Sequence, residues 1–196
     1  MRYRADITAG SLKVPESRII ADLLLRDLDE SAWHAALYEE NVLQARAPKT
    51  ISRLTLLLRG RLETMDAELW RMVRDGDLVT STHACMAAAI KHSALLGDFL
   101  DIALRDQYRL MSEVLRPSVW SHYVDSCHDR DPEMPAWAES TVDRLRSTVF
   151  QILAQVGYVD GSRTLRLQAA QISREVLAYL QSRNEDYVLR CIKVGP

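Results

Sequence analysis

The sequence predicts a mainly α-helical fold, with helix-turn-helix-like segments and a short C-terminal β-hairpin of winged-helix type. Three observations carry this. Leu and Ala are abundant while only two Phe occur, a composition that favours helices. Apolar residues recur at three- and four-residue spacing along most of the chain. Seven Gly and six Pro are too few for long flexible linkers.

Each element has its own signal. Pro15 suits the first turn of a helix whose apolar residues are Ile19, Ile20, Leu23 and Leu24. Asp29 is placed to cap the next helix, with Trp33, Ala36 and Leu37 inward and Asn41 ending it. Residues 43–47 read as a short connection. Pro48 then starts a helix with the stripe Ile51, Leu54, Leu58, Leu62 and Met65. Asp66 caps a short helix carrying Leu69, Trp70 and Val73, which Asp75-Gly76-Asp77 stops. Residues 80–90 and 94–110 form one long or two consecutive well-buried helices. Pro117 breaks the chain, and Trp120, Tyr123, Val124 and Cys127 mark another helix before a loop at Pro132 and Pro135.

The last third is organised differently. Ser140 with Asp143 resembles a capping pair ahead of the stripe Val142, Leu145, Val149, Ile152, Leu153 and Val156. Gly157 is the expected C-terminal stop. Tyr158-Val159 and Thr164–Leu167 read as two strands about the turn Asp160-Gly161. Ser173 is placed to cap a helix with Val176, Leu177 and Leu180, and the tail DYVLRCIKV fits strand or helix. A boundary near residues 112–118 would divide an N-terminal helical unit, 1–114, from a winged-helix-like unit, 115–196.

Composition narrows the function. Three separated cysteines, Cys85, Cys127 and Cys191, make no disulfide framework and fit a reducing cytoplasm. The longest uncharged run, Leu78–Ile90, falls short of the roughly 20 residues a bilayer needs, so no membrane insertion is expected. The formal charge is -2. It is unevenly spread: residues 140–196 carry eight basic against five acidic side chains.

Two segments draw attention. From Asn41 to Leu62 there is no Asp or Glu, yet Arg46, Lys49, Arg53, Arg59 and Arg61 are present. The helix around Trp33, the connection and the helix from Pro48 have helix-turn-helix proportions, in which the second helix enters the major groove. Arg46, Lys49 and Arg53 would share one exposed face near that helix's start, with Thr50 and Ser52 available to phosphates. The plainer reading is a solvated face whose long basic side chains cover apolar surface. Arg59 and Arg61 are expected to pair with acids such as Glu63 or Glu68. The second segment is the winged-helix-like run, with Arg163 at the wing tip, Arg166 facing outward and Arg144 and Arg146 on the preceding helix. Winged helices serve protein contacts as readily as DNA.

Catalysis has little support. No Gly-rich phosphate loop, GxSxG or HExxH occurs, and His83-x-Cys85 and Cys127-His128 lack matching ligand pairs for zinc. No cofactor or metal is expected. Cys85 reads as a buried, inert thiol, and Trp33, Trp70, Trp120 and Trp137 as core anchors.

The strings YRADITAGSLKVPESRIIADLLL, LLGDF (Leu95–Phe99), VFQILAQVGYVDGSRTLRLQ and YVLRCI, in that order from Tyr3 to Ile192, resemble the BrxA family. BrxA is the small core component of BREX bacteriophage-exclusion systems. The resemblance implies a mostly α, cytoplasmic protein without enzymatic activity that binds double-stranded DNA. It also implies service beside the system's methyltransferase and ATPase subunits. An adaptor role for those subunits and RNA binding in the manner of NusB are the alternatives. The resemblance fixes no DNA-contacting position, so the site residues rest on charge and spacing.

Overall fold

A computed structural model describes residues 2–196. After an irregular N-terminal segment come α1 (Val14–Leu25) and α2 (Glu30–His34), the latter running on through a π-helical turn at Ala35–Glu39. Next are α3 (Pro48–Leu62), α4 (Ala67–Asp75) and α5 (Leu78–His92). α6 (Ala94–Asp98) passes through a second π-helical turn, Phe99–Leu104, into α7 (Arg105–Arg109). α8 (Pro117–Arg130), α9 (Glu139–Val156), α10 (Arg174–Ser182) and α11 (Asp186–Ile192) complete the chain. No helix among the described residues is long and apolar enough to cross a membrane.

Several helix ends follow the local chemistry read from sequence. Asp29 accepts from the Ala32 N–H, and Asp66 from those of Glu68 and Leu69. Gly157 ends α9 in the left-handed region at φ 93°. Two capping assignments need correction. α9 begins at Glu139 with Ala138 at its cap and no side-chain bond, so Ser140 and Asp143 form no capping pair. Ser173 occupies its cap position but makes no side-chain cap bond; its hydroxyl lies 3.2 Å from that of Thr80 instead. Two further caps went unread: Asp77 accepts from the Thr80 N–H, and Ser93 from that of Leu96.

The uncharged run becomes the centre of the molecule. α5 buries every residue from Thr80 to Ile90, so other elements must surround it. α1, α3, α4, α9, α10 and α11 all pack on it. Its small side chains, Ala84, Cys85 and Ala87–Ala89, let those neighbours come close. The apolar core runs without interruption across residue 115, joining Leu58 and Leu69 to Ile152, Val176 and Ile192. Cys85 is buried there, and burial pushes its thiol up to about 11. Trp33 and Trp120 are buried; Trp70 and Trp137 are half-buried against the same core.

The expected β-hairpin does not form. Residues 158–168 make isolated bridges only, Val159 with Leu167 and Val114 with Arg166. The physical reason lies in the turn. The Leu165 N–H donates back to the Gly161 carbonyl at 3.0 Å, with Leu165 at φ 53°, so 161–165 curls rather than extends. The Asp160 carboxylate also takes the Thr164 hydroxyl and the Arg166 N–H, at 2.5 and 3.0 Å. Such local side-chain bonds compete with a strand ladder. The winged-helix assignment falls with the hairpin. The ambiguous tail is helical, as α11.

The N-terminal segment is tied down by two acids far along the chain. Asp131 accepts from the backbone N–H groups of Arg2 and Tyr3. Asp98, buried on α6, accepts the hydroxyls of Tyr3 and Tyr187, each at 2.8 Å, and pairs with Arg2 at 2.7 Å. Tyr3 and Ile7 are thereby buried in the core.

A buried imidazole gives the fold a pH dependence. His83 on α5 accepts the Ser173 N–H on Nδ1 at 3.0 Å, which requires a neutral ring. Burial holds its pKa below the ordinary 6.5. Below that value the unfolded chain binds the proton more readily than the folded one, so stability falls as pH falls. Urea midpoints between about pH 7.5 and about pH 5.5 should show this decline, and it should be shallower in His83→Gln, which retains an acceptor for Ser173. Equal slopes in both proteins would place the titrating group elsewhere.

Candidate nucleic-acid interface

Pro48 opens α3, and its fixed φ suits that position. The helix then presents two faces. Ile51, Leu54, Leu57, Leu58, Arg61 and Leu62 are buried, while Lys49, Ser52, Arg53 and Leu56 are exposed. Arg46 is exposed in the connection just before the helix, and Thr50 is half-buried in its first turn. Arg46, Lys49 and Arg53 have no ion-pair partner among the described residues. Their chemistry is that of an anion-binding surface: three solvated cations where the helix's free N–H groups add positive potential.

The other two cations of the acid-free window are engaged elsewhere. Arg59 pairs with Glu63 at 2.6 Å, as expected, and its guanidinium also lies 4.7 Å from the centre of the Trp33 ring. Arg61 is a correction. It is buried and forms no ion pair among the described residues, feeling Asp6 only at a distance; its guanidinium donates to the backbone carbonyls of Ser11 and Gly10 at 2.7 and 3.1 Å. Glu68, its other expected partner, binds Arg183 at 2.8 Å. Residues on the preceding helix extend the α3 surface. The His34 and Tyr38 rings stack at 4.8 Å, and the Tyr38 hydroxyl bonds Ser52 at 2.8 Å. Neither was read from sequence, where nothing distinguishes them from other polar helix positions. Leu56 is 79% exposed in the same helix face. That placement was legible, since Leu56 lies off the apolar stripe of α3.

The C-terminal candidates are only partly gathered. Arg163 joins Arg146, Ser147 and Ser162 around an open cleft of about 410 Å³ that Pro117, Phe150 and Leu165 also line. Arg146 is committed to Asp143 at 3.1 Å. Arg144 is exposed on α9 and does not line this cleft. Arg166 is also exposed and outside it; the nearby Asp160 carboxyl is held below its usual range first by the Thr164 hydroxyl and then by the Arg166 N–H and charge. The cations therefore do not all line one cleft here.

The family model described as BrxA matches residues 1–184. The BREX protein BrxA of Paramagnetospirillum magneticum is 53% identical over 194 residues, covering 99% of this chain and 98% of that one. The BREX protein BrxA of Escherichia coli O9:H4 is 33% identical over 176 residues, covering 90% and 83%. A crystal structure of an uncharacterized protein from Magnetospirillum magneticum superposes with a TM-score of 0.93 at 52% identity, over 100% of both chains. By family model and by near-complete relatives alike, the chain belongs to the BrxA family.

Proposed function

We propose that this chain is a non-enzymatic, double-stranded DNA-binding component of a BREX anti-phage defence system, acting beside other BREX subunits. Its relatives carry the name BREX protein BrxA, which supports the system. The observation that supports DNA is the start of α3: Arg46, Lys49 and Arg53, exposed, unpaired and in a window without acids. In this reading α2 and α3 work as a helix-turn-helix pair, with Thr50 and Ser52 adding neutral phosphate contacts. Arg163, Arg144 and Arg166 supply secondary backbone contacts. Such contacts give affinity without sequence choice.

The test is a salt titration. The three α3 cations alone predict that log K for duplex DNA falls against log salt with a slope of about -2.7, and the secondary contacts steepen it. Absence of duplex binding at low salt, or stronger binding to single-stranded RNA, would reject the reading. One observation favours the alternative of an adaptor for other subunits. The turn after α7 exposes Leu110 at 72% and Met111 at 88%, two large apolar side chains together. Loss of subunit assembly in Leu110→Ser with duplex affinity intact would assign that surface to docking.

A further inference from the structure

A second basic site lies at the other end of α3. Residues 2–6, the end of α5 and the first residue of α6 enclose a pocket of about 290 Å³, lined by Arg2, Arg4, Asp6, Lys91, His92 and Ala94. Neither Arg46, Lys49 nor Arg53 borders it. His92 lies against α3 at Gly60, where an added carbon would come within 3.3 Å of its Cε1. Buried Arg61 is the next residue of α3.

The acids around this pocket are already engaged. Asp98 serves Tyr3, Tyr187 and one terminal nitrogen of Arg2. Glu185 holds Lys91. Asp6 accepts the Ser93 hydroxyl at 2.6 Å. Arg4 is exposed and has no ion-pair partner among the described residues. Arg2 keeps unused guanidinium N–H groups, its side chain being 57% exposed. The pocket therefore offers several charge-assisted donors beside one carboxylate, Asp6, of which one oxygen is taken by Ser93. The imidazole in its wall is held below its ordinary pKa chiefly by burial; Asp6 opposes this most strongly, and Arg61 and then Arg4 add to the lowering.

We propose that this pocket binds a phosphate group. Its cations suit a dianion better than a carboxylate, and arginine forks match phosphate oxygens in pairs. The phosphate could belong to a small phosphorylated ligand or to a nucleic-acid backbone. The site does not depend on the α3 reading, because the two share no residue.

His92 provides the test, followed by NMR titration of its ring in the full chain. The probes are inorganic phosphate, a nucleoside monophosphate and duplex DNA, each against chloride at matched ionic strength. Bound phosphate should raise the His92 titration by about 0.5 to 1 pH unit. A rise with the small probes assigns a small ligand, and a rise with duplex alone assigns the backbone; both support the pocket. Arg4→Glu should abolish the rise, with Arg4→Gln as a milder second variant. Arg46→Glu/Lys49→Glu/Arg53→Glu should leave the rise with inorganic phosphate intact. No rise beyond chloride with any probe, or a rise that survives both Arg4 variants, would overturn the proposal.

Discussion

Asp98→Ala is expected to destabilise the protein by about 2–5 kcal/mol, among the largest single effects in the fold. The carboxylate is buried and accepts two tyrosine hydroxyls, Tyr3 and Tyr187, at 2.8 Å each. Truncation leaves both hydroxyls without an acceptor, and each unsatisfied buried donor costs about 1–3 kcal/mol. Regaining the desolvation of one carboxylate offsets part of this. Arg2 matters less to the sum, since its side chain is largely solvated. Gly97→Ala should act through the same network. Its new carbon would fall on the Tyr187 hydroxyl and within 2.9 Å of that ring's Cζ, forcing Tyr187 off Asp98. Overpacking of this kind costs about 1–3 kcal/mol. Urea midpoints measure both. Midpoints close to wild type would mean that the Asp98 cluster is replaceable by water.

Reversing Arg46, Lys49 and Arg53 together to glutamate is expected to lower duplex affinity by about 100-fold at low salt. Three charge-assisted phosphate contacts at about 1 kcal/mol each set that scale. Repulsion of the new carboxylates adds to it. The salt slope should flatten by about 2.7, or 0.9 for each lost phosphate. The fold should be unaffected, because the three side chains are exposed and unpaired among the described residues. The comparison is Arg163→Glu/Arg166→Glu, expected to weaken binding by less than about tenfold, since these cations do not both line one cleft. If that double reversal has the larger effect, the principal DNA surface is C-terminal rather than on α3.

Much of the helical plan was legible because its determinants are local. The caps at Asp29 and Asp66, the stop at Gly157 and the stripe of α3 all act within one or two turns. The hairpin was misread for a local reason too: alternating apolar residues were present, but Asp160 and the curled 161–165 turn satisfied the same backbone groups. Arg61 shows how composition misleads where periodicity does not. It counted as one of five cations, yet it follows Leu54, Leu57 and Leu58 by seven, four and three residues, which places it on the inner face. Asp98 was illegible. Its partners Tyr3 and Tyr187 lie 95 and 89 residues away, and no local pattern marks such a meeting. The α3 candidates could be grouped from spacing, while the pocket of Arg2, Arg4 and Lys91 depends on tertiary packing alone.

The two π-helical turns, Ala35–Glu39 and Phe99–Leu104, carry a consequence for how this chain compares with its kin. A π turn holds one residue more than the α-helix around it requires. It is therefore equivalent to a single inserted amino acid that the helix has absorbed instead of expelling as a loop. Phe99, Leu100 and Leu104 of the second turn are buried in the core. Removing the extra residue would rotate every later residue of the helix by about 100°, carrying α7 away from its present facing. Single-residue insertions or deletions are expected to be tolerated at these two turns, where a helix can gain or lose one position without breaking.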